Sequence, residues 1–477
     1  MNGLELFGAK CPRQLEGEEI LGIAYDSRKV KPGFVFICIK GYETDGHLYA
    51  KAAEEQGAVC IVAEDDVCVS VPVIKCENAR FEMAELAVRF YREPSKKFKL
   101  IGITGTNGKT TTSYLIKGIL EKAGYCVGII GTNQNSLGTK VLETKTTTPT
   151  TPNSLELQQM FSEMAKGGAD YVVMEVSSHA LELGRVHGCS FEVGVFTNLT
   201  QDHLDFHKTM ENYMLAKAKL FKMCKKGVIN IDDEYGKRIC DMAHDVLTVG
   251  MDDAILRAKN INITARGTTF DLEYDGHAYK AEVPIPGKFS VYNALSAIGA
   301  CLSCGIDMDI ILDGLKRANG VLGRIEVVHT DTPYTVLIDY AHTPDGLENI
   351  ISTVKEFTKG RVITLFGCGG DRDATKRPIM GEIAGRLSDF AVLTSDNPRT
   401  EDPDSILDMI EDGIKKTDGE YIRITNRREA IGWALRNAGL DDCIILAGKG
   451  QETYQIIGKE KINFDERAIV FEELRKI

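Results

Sequence analysis

Apolar residues recur along this chain as short continuous runs separated by stretches of helical spacing. Runs at 34–39, 58–62, 99–103, 127–130, 171–176, 193–196 and 228–231 have the length of buried strands. Between them, positions such as Leu115, Ile116, Ile119 and Leu120 fall three or four apart, as on one helix face, and Gly124 offers a C-terminal stop. Alternation of this kind predicts a largely parallel sheet with helices on both faces. A strand-like period of two follows from 265 to 283 around Asp275-Gly276, and a long helical pattern runs on from Asn293. After Arg324 the strand-length runs resume at 335–338, 361–366, 390–393 and 443–447. The expected fold class is therefore α/β. The polar, proline-bearing stretch 91–98 reads as a linker, and the restart after Arg324 marks a second boundary.

Composition narrows the picture without naming a chemistry. The 477 residues suffice for about three domains at roughly 100–200 residues each. Hydrophobic residues at 43% and charged residues at 26% describe an ordinary globular chain. A net charge of −12 argues against a nucleic-acid partner, so any phosphate binding must be local. No apolar run approaches a membrane span, and the N-terminus lacks a basic region followed by an apolar core; the expectation is a cytoplasmic protein without membrane insertion. The 13 cysteines sit in apolar contexts, which suits buried thiols in a reducing compartment. Cys301 and Cys304 have redox or zinc spacing but lie in an apolar helical run without a second pair, so core packing is the expectation.

The most informative stretch follows the run at 99–103. Gly105, Thr106, Asn107, Gly108, Lys109 and Thr110 form a loop between a strand and a helix start. Glycines let backbone N–H groups approach phosphate, and the helix N-terminus adds partial positive charge. Lys109 would meet the outer phosphates and the Thr110 hydroxyl a magnesium ion. The general phosphate-loop pattern requires a glycine where Ile103 stands, so the generic motif fails by spacing. A glycine-rich turn with a solvated lysine is the plain alternative.

Other strand ends carry polar residues, where doubly wound sheets place their ligands. Glu175 closes the run 171–176 and is an acceptable magnesium ligand. His203 and His207 have i, i+4 spacing, but no third zinc ligand is evident and solvent or hydrogen-bonding roles are favoured. The hydroxyl-rich segment 146–152 suits an oxygen-rich ligand and equally a capped helix start. Asp26-Ser27-Arg28 alone says only loop.

Taken in order, the phosphate loop, Glu175-Val176-Ser177-Ser178-His179, Asp202-His203-Leu204-Asp205, Gly323-Arg324-Ile325-Glu326, Asp339-Tyr340-Ala341-His342-Thr343-Pro344 and Asp396-Asn397-Pro398-Arg399 resemble the Mur ligases. The resemblance covers essentially the whole chain, and the family's short phosphate loop matches residues 104–111, which accounts for the failed generic spacing. It implies three domains: 1–98 for the UDP substrate, a central P-loop-type ATP-binding domain at 99–325 with a largely parallel sheet, and 326–477 for an incoming amino acid. The implied activity is ATP-dependent ligation of meso-diaminopimelate to the D-glutamate γ-carboxylate of UDP-N-acetylmuramoyl-L-alanyl-D-glutamate through an acyl phosphate, in peptidoglycan precursor synthesis. ATP is the implied co-substrate and Mg2+ the implied metal, in a bacterial cytoplasmic monomer.

Residue by residue, the resemblance implies that Gly105, Thr106, Asn107, Gly108, Lys109, Thr110, Thr111, Asn293, Arg324, Asp339 and His342 bind ATP. Ser27, Thr150, Thr151, Ser177 and Arg185 would hold the UDP-muramoyl dipeptide, with the Gly41-Tyr42 turn a weaker candidate. Thr110, Glu175, His203 and Lys217 would lie nearest the metal, Lys217 as a carbamylated side chain, with Lys219 as the nearby competitor. Lys109, Glu175, His203 and Lys217 form the implied catalytic set. Arg372, Asp396, Asn397, Pro398, Arg399, Gly448 and Glu452 would hold diaminopimelate. Arg399 suits its distal carboxylate and Glu452 its distal ammonium, whereas an unpaired arginine would repel the bare ammonium of lysine. One departure is Ser290, where the family usually has asparagine. The rivals are a lysine-adding counterpart, a folate-type ligase, and a phosphate-binding regulatory module that performs no ligation.

Overall fold

The computed structural model describes all residues except 42, 43, 149, 265, 266 and 319–322. Tyr42 of the weaker uridine candidate and Pro149 of the hydroxyl-rich segment thus lie outside the described residues. The chain forms two compact units, one of Met1–Leu256 with Leu295–Gly314, the other of Arg257–Ala294 with Leu315–Ile477.

The first unit begins with a four-stranded parallel sheet in the order Gly22–Ala24, Phe34–Ile37, Ala58–Ala63, Val73–Lys75. Its strands are apolar on both faces because helices cover both, which is why the sequence shows runs rather than alternation. The stretch 91–98 is not a free tether. Pro94 and Ser95 are buried in a short 3-10 turn, and Phe98 packs edge-on to Phe161, at 5.4 Å between ring centroids. Its polarity reflects charged Lys96 and Glu93 paired on the surface.

A larger sheet follows in the same unit, with parallel strands in the order Val246–Gly250, Cys224–Asn230, Phe191–Phe196, Lys99–Thr104, Tyr171–Glu175, Val127–Ile130. Lys99–Thr104 sits between Phe191–Phe196 and Tyr171–Glu175, so its C-terminal end is flanked by the ends of both neighbours. That central position is what gathers Gly105, Glu175 and Thr197 at one edge.

In the second unit, Leu256–Thr264, Gly267–Tyr274 and His277–Val283 form an antiparallel meander, two of them flanking the turn at Asp275-Gly276. The helix bearing Asn293 starts earlier than its apolar period, at Lys288. Ser290 is buried there, its hydroxyl donating to the carbonyl of Gly287 at 2.5 Å with Thr268 Oγ1 3.2 Å away. A serine at this position thus serves the helix start itself.

The C-terminal sheet runs in the order Glu326–Val328, Thr335–Asp339, Cys443–Ala447, Val362–Phe366, Phe390–Leu393, Tyr421–Arg423, parallel apart from the first strand. Arg427 and Glu466 pair at 2.8 Å with no side-chain exposure, and Arg427 also donates to the carbonyl of Ala447 at 2.9 Å. All 13 cysteines are free, Cys301 among them fully buried. Among the described residues, no helix is long and apolar enough to cross a membrane.

Candidate active site

The loop after Lys99–Thr104 is strapped down by its neighbour. Gly105 adopts φ +148°, and a Cβ there would lie 1.9 Å from Thr197 Oγ1. Only glycine fits. Gly108, at φ 84°, makes the left-handed entry into the helix Lys109–Lys122. The amide of Thr106 donates to the carbonyl of Asn198 at 2.9 Å, and that of Asn107 to Asn198 Oδ1 at 2.9 Å. Thr197 Oγ1 donates to the Asn107 carbonyl at 2.6 Å. Neither Thr197 nor Asn198 stands out as a loop anchor in the sequence, because the bonds that make them so come from strand adjacency.

Charged side chains gather on this loop from three elements. Lys109 folds back so that Nζ donates to the carbonyls of Gly105 and Thr106 at 2.9 and 2.8 Å. Thr110 Oγ1 donates to Glu175 Oε1 at 2.9 Å. Glu175, 1% exposed, also accepts the amide of Thr132 at 3.0 Å and its hydroxyl at 3.1 Å. Gly131 leaves room for that carboxylate, since a Cβ there would lie 2.4 Å from Glu175 Oε1. Thr132 is thus a site residue missed by sequence reading, its signal being only that it follows the strand Val127–Ile130. Thr111 is half-buried in the first turn of the helix.

Lys217 differs most from what its sequence context conveys. Borne on the helix Met210–Ala218, it is 1% exposed, and its Nζ donates to the carbonyl of Gly105 at 2.8 Å. The Tyr213 ring lies beneath it at 4.5 Å. Burial, and next the Lys109 charge, hold its ammonium pKa well below the ordinary lysine value. Lys219, its competitor, is a half-exposed surface residue paired with Glu182 at 2.6 Å.

His203, at φ 53°, precedes the short helix Leu204–His207. Its ring lies 4.8 Å from that of His179 and 6.1 Å from that of Tyr213, whose hydroxyl is 3.3 Å from Thr106 Oγ1. His203 therefore belongs to the wall beside the loop. His207 is buried, with Nε2 2.9 Å from Ser178 Oγ and its ring stacked on Tyr213. Burial pushes its pKa down to about 4. A ring occupied in this way suits a wall residue better than a zinc ligand.

The hydroxyl cluster adjoins Glu175. Thr150, at φ 62°, lies with Oγ1 3.0 Å from Thr132 Oγ1. Thr151 is fully buried and its hydroxyl donates to the Glu175 carbonyl at 2.9 Å, with Ser177 Oγ 3.3 Å away. Arg185 Nη1 donates to the Thr151 carbonyl at 3.0 Å, and Ser177 caps the helix Ser178–Glu182 through Ala180 N at 3.2 Å. Ser27 opens a 3-10 turn capped by Asp26, beyond the strand Gly22–Ala24. Next to it, the Tyr25 hydroxyl donates to Glu156 and lies 2.9 Å from Thr147 Oγ1; Asn153 Nδ2 donates to it at 3.2 Å. The Ser27 turn is thereby tied to the segment that leads into Thr150 and Thr151.

In the second unit, Asp339 ends the strand Thr335–Asp339 and accepts the amides of Ile325 and Ala341 at 2.7 and 2.8 Å. Burial raises its pKa. The Arg324 guanidinium lies 5.3 Å from the Tyr340 ring, and exposed His342 holds Nδ1 2.8 Å from the Tyr340 carbonyl. Asn293 is buried on its helix.

Three further strand ends in that unit meet. Asn397, after Phe390–Leu393, donates through Nδ2 to Glu452 Oε2 at 2.9 Å, and its own amide N–H donates to Asp396 Oδ1 at 2.6 Å. Arg399, at φ 51°, donates from Nη1 to the Gly370 carbonyl at 2.7 Å. Buried Pro398 sets the turn, its carbonyl so close to Gly370 that a Cβ there would approach to 1.9 Å. Gly448 would place a Cβ 2.7 Å from Asp396 Oδ2. Arg372 is exposed beside Gly369. Lys449, unremarked in the sequence, is fully buried among these groups.

Three family profiles match the chain: "Mur ligase family, catalytic domain" at 19–92, "Mur ligase middle domain" at 103–301, and "Mur ligase, glutamate ligase domain" at 323–450. A protein of Clostridium acetobutylicum named UDP-N-acetylmuramoyl-L-alanyl-D-glutamate--2,6-diaminopimelate ligase 1 is 52% identical, over 96% of this chain and 95% of its own length. A Clostridioides difficile protein of the same name, without the numeral, is 44% identical over 100% and 99%. A solved structure of a UDP-N-acetylmuramoyl-L-alanyl-D-glutamate--2,6-diaminopimelate ligase superposes with a TM-score of 0.76 at 33% identity, covering 100% of this chain and 99% of that one. With profiles spanning most of its length and such identity along all of it, the chain belongs to the Mur ligase family.

Proposed function

We propose that this protein ligates meso-diaminopimelate to the D-glutamate γ-carboxylate of UDP-N-acetylmuramoyl-L-alanyl-D-glutamate at the expense of ATP, in bacterial cytoplasmic peptidoglycan precursor synthesis. The observation that carries the reading is the convergence of Lys109, Thr110, Glu175 and Lys217 on one glycine loop at a helix N-terminus. Relatives bearing that activity in their names, 44% and 52% identical along the chain, support it. Domain limits of 98 and 325 divide the tasks among UDP substrate, ATP and amino acid.

In this reading the loop amides and Lys109 bind and neutralise the phosphates of ATP, so catalysis rests on positioning and electrostatics. Asn293, Arg324, Asp339 and His342 are the further candidates for binding the nucleotide. The donors around the Thr110 hydroxyl and Glu175 carboxylate are hard oxygens, which fit Mg2+; the ion would offset phosphate charge. His203 and a carbamylated Lys217 would stand nearest that ion with them. Burial that lowers the Lys217 ammonium pKa favours the free amine that carbamylation needs: its Nζ would form a bond to the carbon of CO2 and lose a proton, leaving an anion. Ser27, Thr150, Thr151, Ser177 and Arg185 hold the UDP-muramoyl dipeptide. Its γ-carboxylate oxygen attacks the γ-phosphorus as ADP leaves. The diaminopimelate amine, held by Arg372, Asp396, Asn397, Pro398, Arg399, Gly448 and Glu452, then attacks the acyl carbon; inorganic phosphate leaves and an amide forms.

The test supplies purified protein with ATP, Mg2+, the UDP-muramoyl dipeptide and either meso-diaminopimelate or L-lysine. Tripeptide with diaminopimelate alone is expected, with phosphate released only when both acceptor and amine are present. No product with either amine overturns the assignment, and equal turnover with lysine overturns the choice of amino acid.

A further inference from the structure

Lys449 is a buried cation that the proposed reaction does not use. Its side chain has no exposure, and each of its N–H groups has an acceptor: Tyr454 O at 2.8 Å, Asn397 Oδ1 at 3.1 Å and Glu452 Oε2 at 3.3 Å. The rings of Tyr454 and Phe464 close over it, each 5.9 Å from Nζ. An ammonium so placed gives up its hydration and must be held by a site that needs it.

The need is visible at Asn397. Its Oδ1 accepts from both Lys449 and the amide of Ile456, the latter at 2.9 Å. With the oxygen fixed by two donors, the amide cannot flip, and Nδ2 must face Glu452 Oε2. One oxygen of Glu452 is thus engaged by Asn397 and Lys449, on a carboxylate that also hydrogen-bonds the Tyr454 side chain and stays partly exposed.

We infer that Lys449 is a positioning and specificity-determining residue for the incoming amino acid: it locks the Asn397 amide and shares the Glu452 carboxylate, so that a lone ligand cation gains little there. The inference rests on the proposed amino-acid site. A side-chain end bearing both carboxylate and ammonium meets Arg399 and Glu452 together. A bare ammonium meets a carboxylate already compensated from behind, and is repelled by Lys449 and Arg399. Removing the buried charge frees Glu452 to accept a lone cation.

The experiment uses Lys449→Met, which keeps length and removes the charge, and Lys449→Gln, which keeps donors for the Asn397 oxygen without the charge. Wild-type turnover with meso-diaminopimelate is measured first; its absence sinks the functional reading and leaves Lys449 aside. Given that turnover, Lys449→Met is expected to raise KM for diaminopimelate roughly tenfold, the scale of a lost hydrogen bond to a charged group. KM for ATP and for the UDP-muramoyl dipeptide should stay within about twofold, since Lys449 Nζ bonds to none of the residues assigned to them. In both variants the kcat/KM ratio of diaminopimelate over lysine should fall by about tenfold. In an Asn397→Ala background the KM effect of Lys449→Met should largely vanish, because the lysine acts through that amide. An unchanged ratio, a parallel rise in all three KM values, or loss of folded protein in both variants would assign Lys449 to packing alone and overturn the inference.

Discussion

Lys109 and Lys217 donate to the same acceptor, the carbonyl of Gly105, at 2.9 and 2.8 Å. Two ammonium groups sharing one oxygen repel, and the buried partner is the one driven toward the neutral form. A lowered ammonium pKa in a buried lysine beside the loop favours the free amine that the proposed carbamylation requires. Intact mass spectrometry under bicarbonate should show one added CO2 on the wild type and none on Lys217→Ala. The variant should lose about 100-fold or more in kcat, the scale of a lost preorganised charge. Added short carboxylates should restore part of it; full activity without them rejects the modification.

Arg399 offers a second point of attack. Its Nη1 donates to the Gly370 carbonyl from a left-handed backbone position, and the side chain is half-buried. Lysine can replace the single bond but not the planar fork. Arg399→Lys is expected to raise KM for diaminopimelate by about tenfold or more while leaving ATP turnover parameters alone. Unaltered diaminopimelate kinetics would remove Arg399 from the site.

The Tyr25 hydroxyl ties the turn of Ser27 to Thr147, Asn153 and Glu156. Burial raises its pKa to about 12, so it stays a donor across the working range. Tyr25→Phe should cost about 1 kcal/mol in denaturant unfolding, because the buried Glu156 oxygen loses one of its two donors and keeps only Thr147 Oγ1. It should also raise KM for the UDP-muramoyl dipeptide several-fold with no change for diaminopimelate. A matching rise for every substrate would mark a purely structural link.

His207 supplies a pH signature. Its folded pKa of about 4 lies below the ordinary 6.5, so between those values the unfolded chain binds more protons. Stability should therefore fall as pH drops from about 6.5 toward 4, by on the order of 2 kcal/mol from this group. His207→Gln, compared with wild type by urea unfolding at pH 7 and pH 5, should flatten that part of the profile. Identical slopes would place the titration elsewhere.

Much of the frame was legible because parallel strands buried on both faces announce themselves as continuous apolar runs. Glu175 was legible for the same reason, standing as a carboxylate at the end of the run that closes at Val176. Lys217 was not: nothing in its local sequence separates it from Lys219, and only the packing of Met210–Ala218 against the loop buries one and exposes the other. Thr132, Thr197, Asn198 and Lys449 escaped for a related reason. Their partners lie on neighbouring strand ends or in the turn beyond, and sheet order cannot be read from one strand at a time. In the stretch 91–98, charge on the surface side concealed that Pro94 and Ser95 are buried, so its order was not legible.

The pair of Arg427 and Glu466 links the last helix, Glu466–Leu474, to the carbonyl of Ala447, one residue before Gly448. The helix Glu466–Leu474 is therefore a keystone for the turn after Ala447. Clipping it by protease or stop codon would leave an uncompensated cation in the core, a defect worth about 3–5 kcal/mol, and would release the turn that carries Gly448 and Glu452. Trimmed forms of this enzyme should thus lose their amine substrate before they lose their nucleotide.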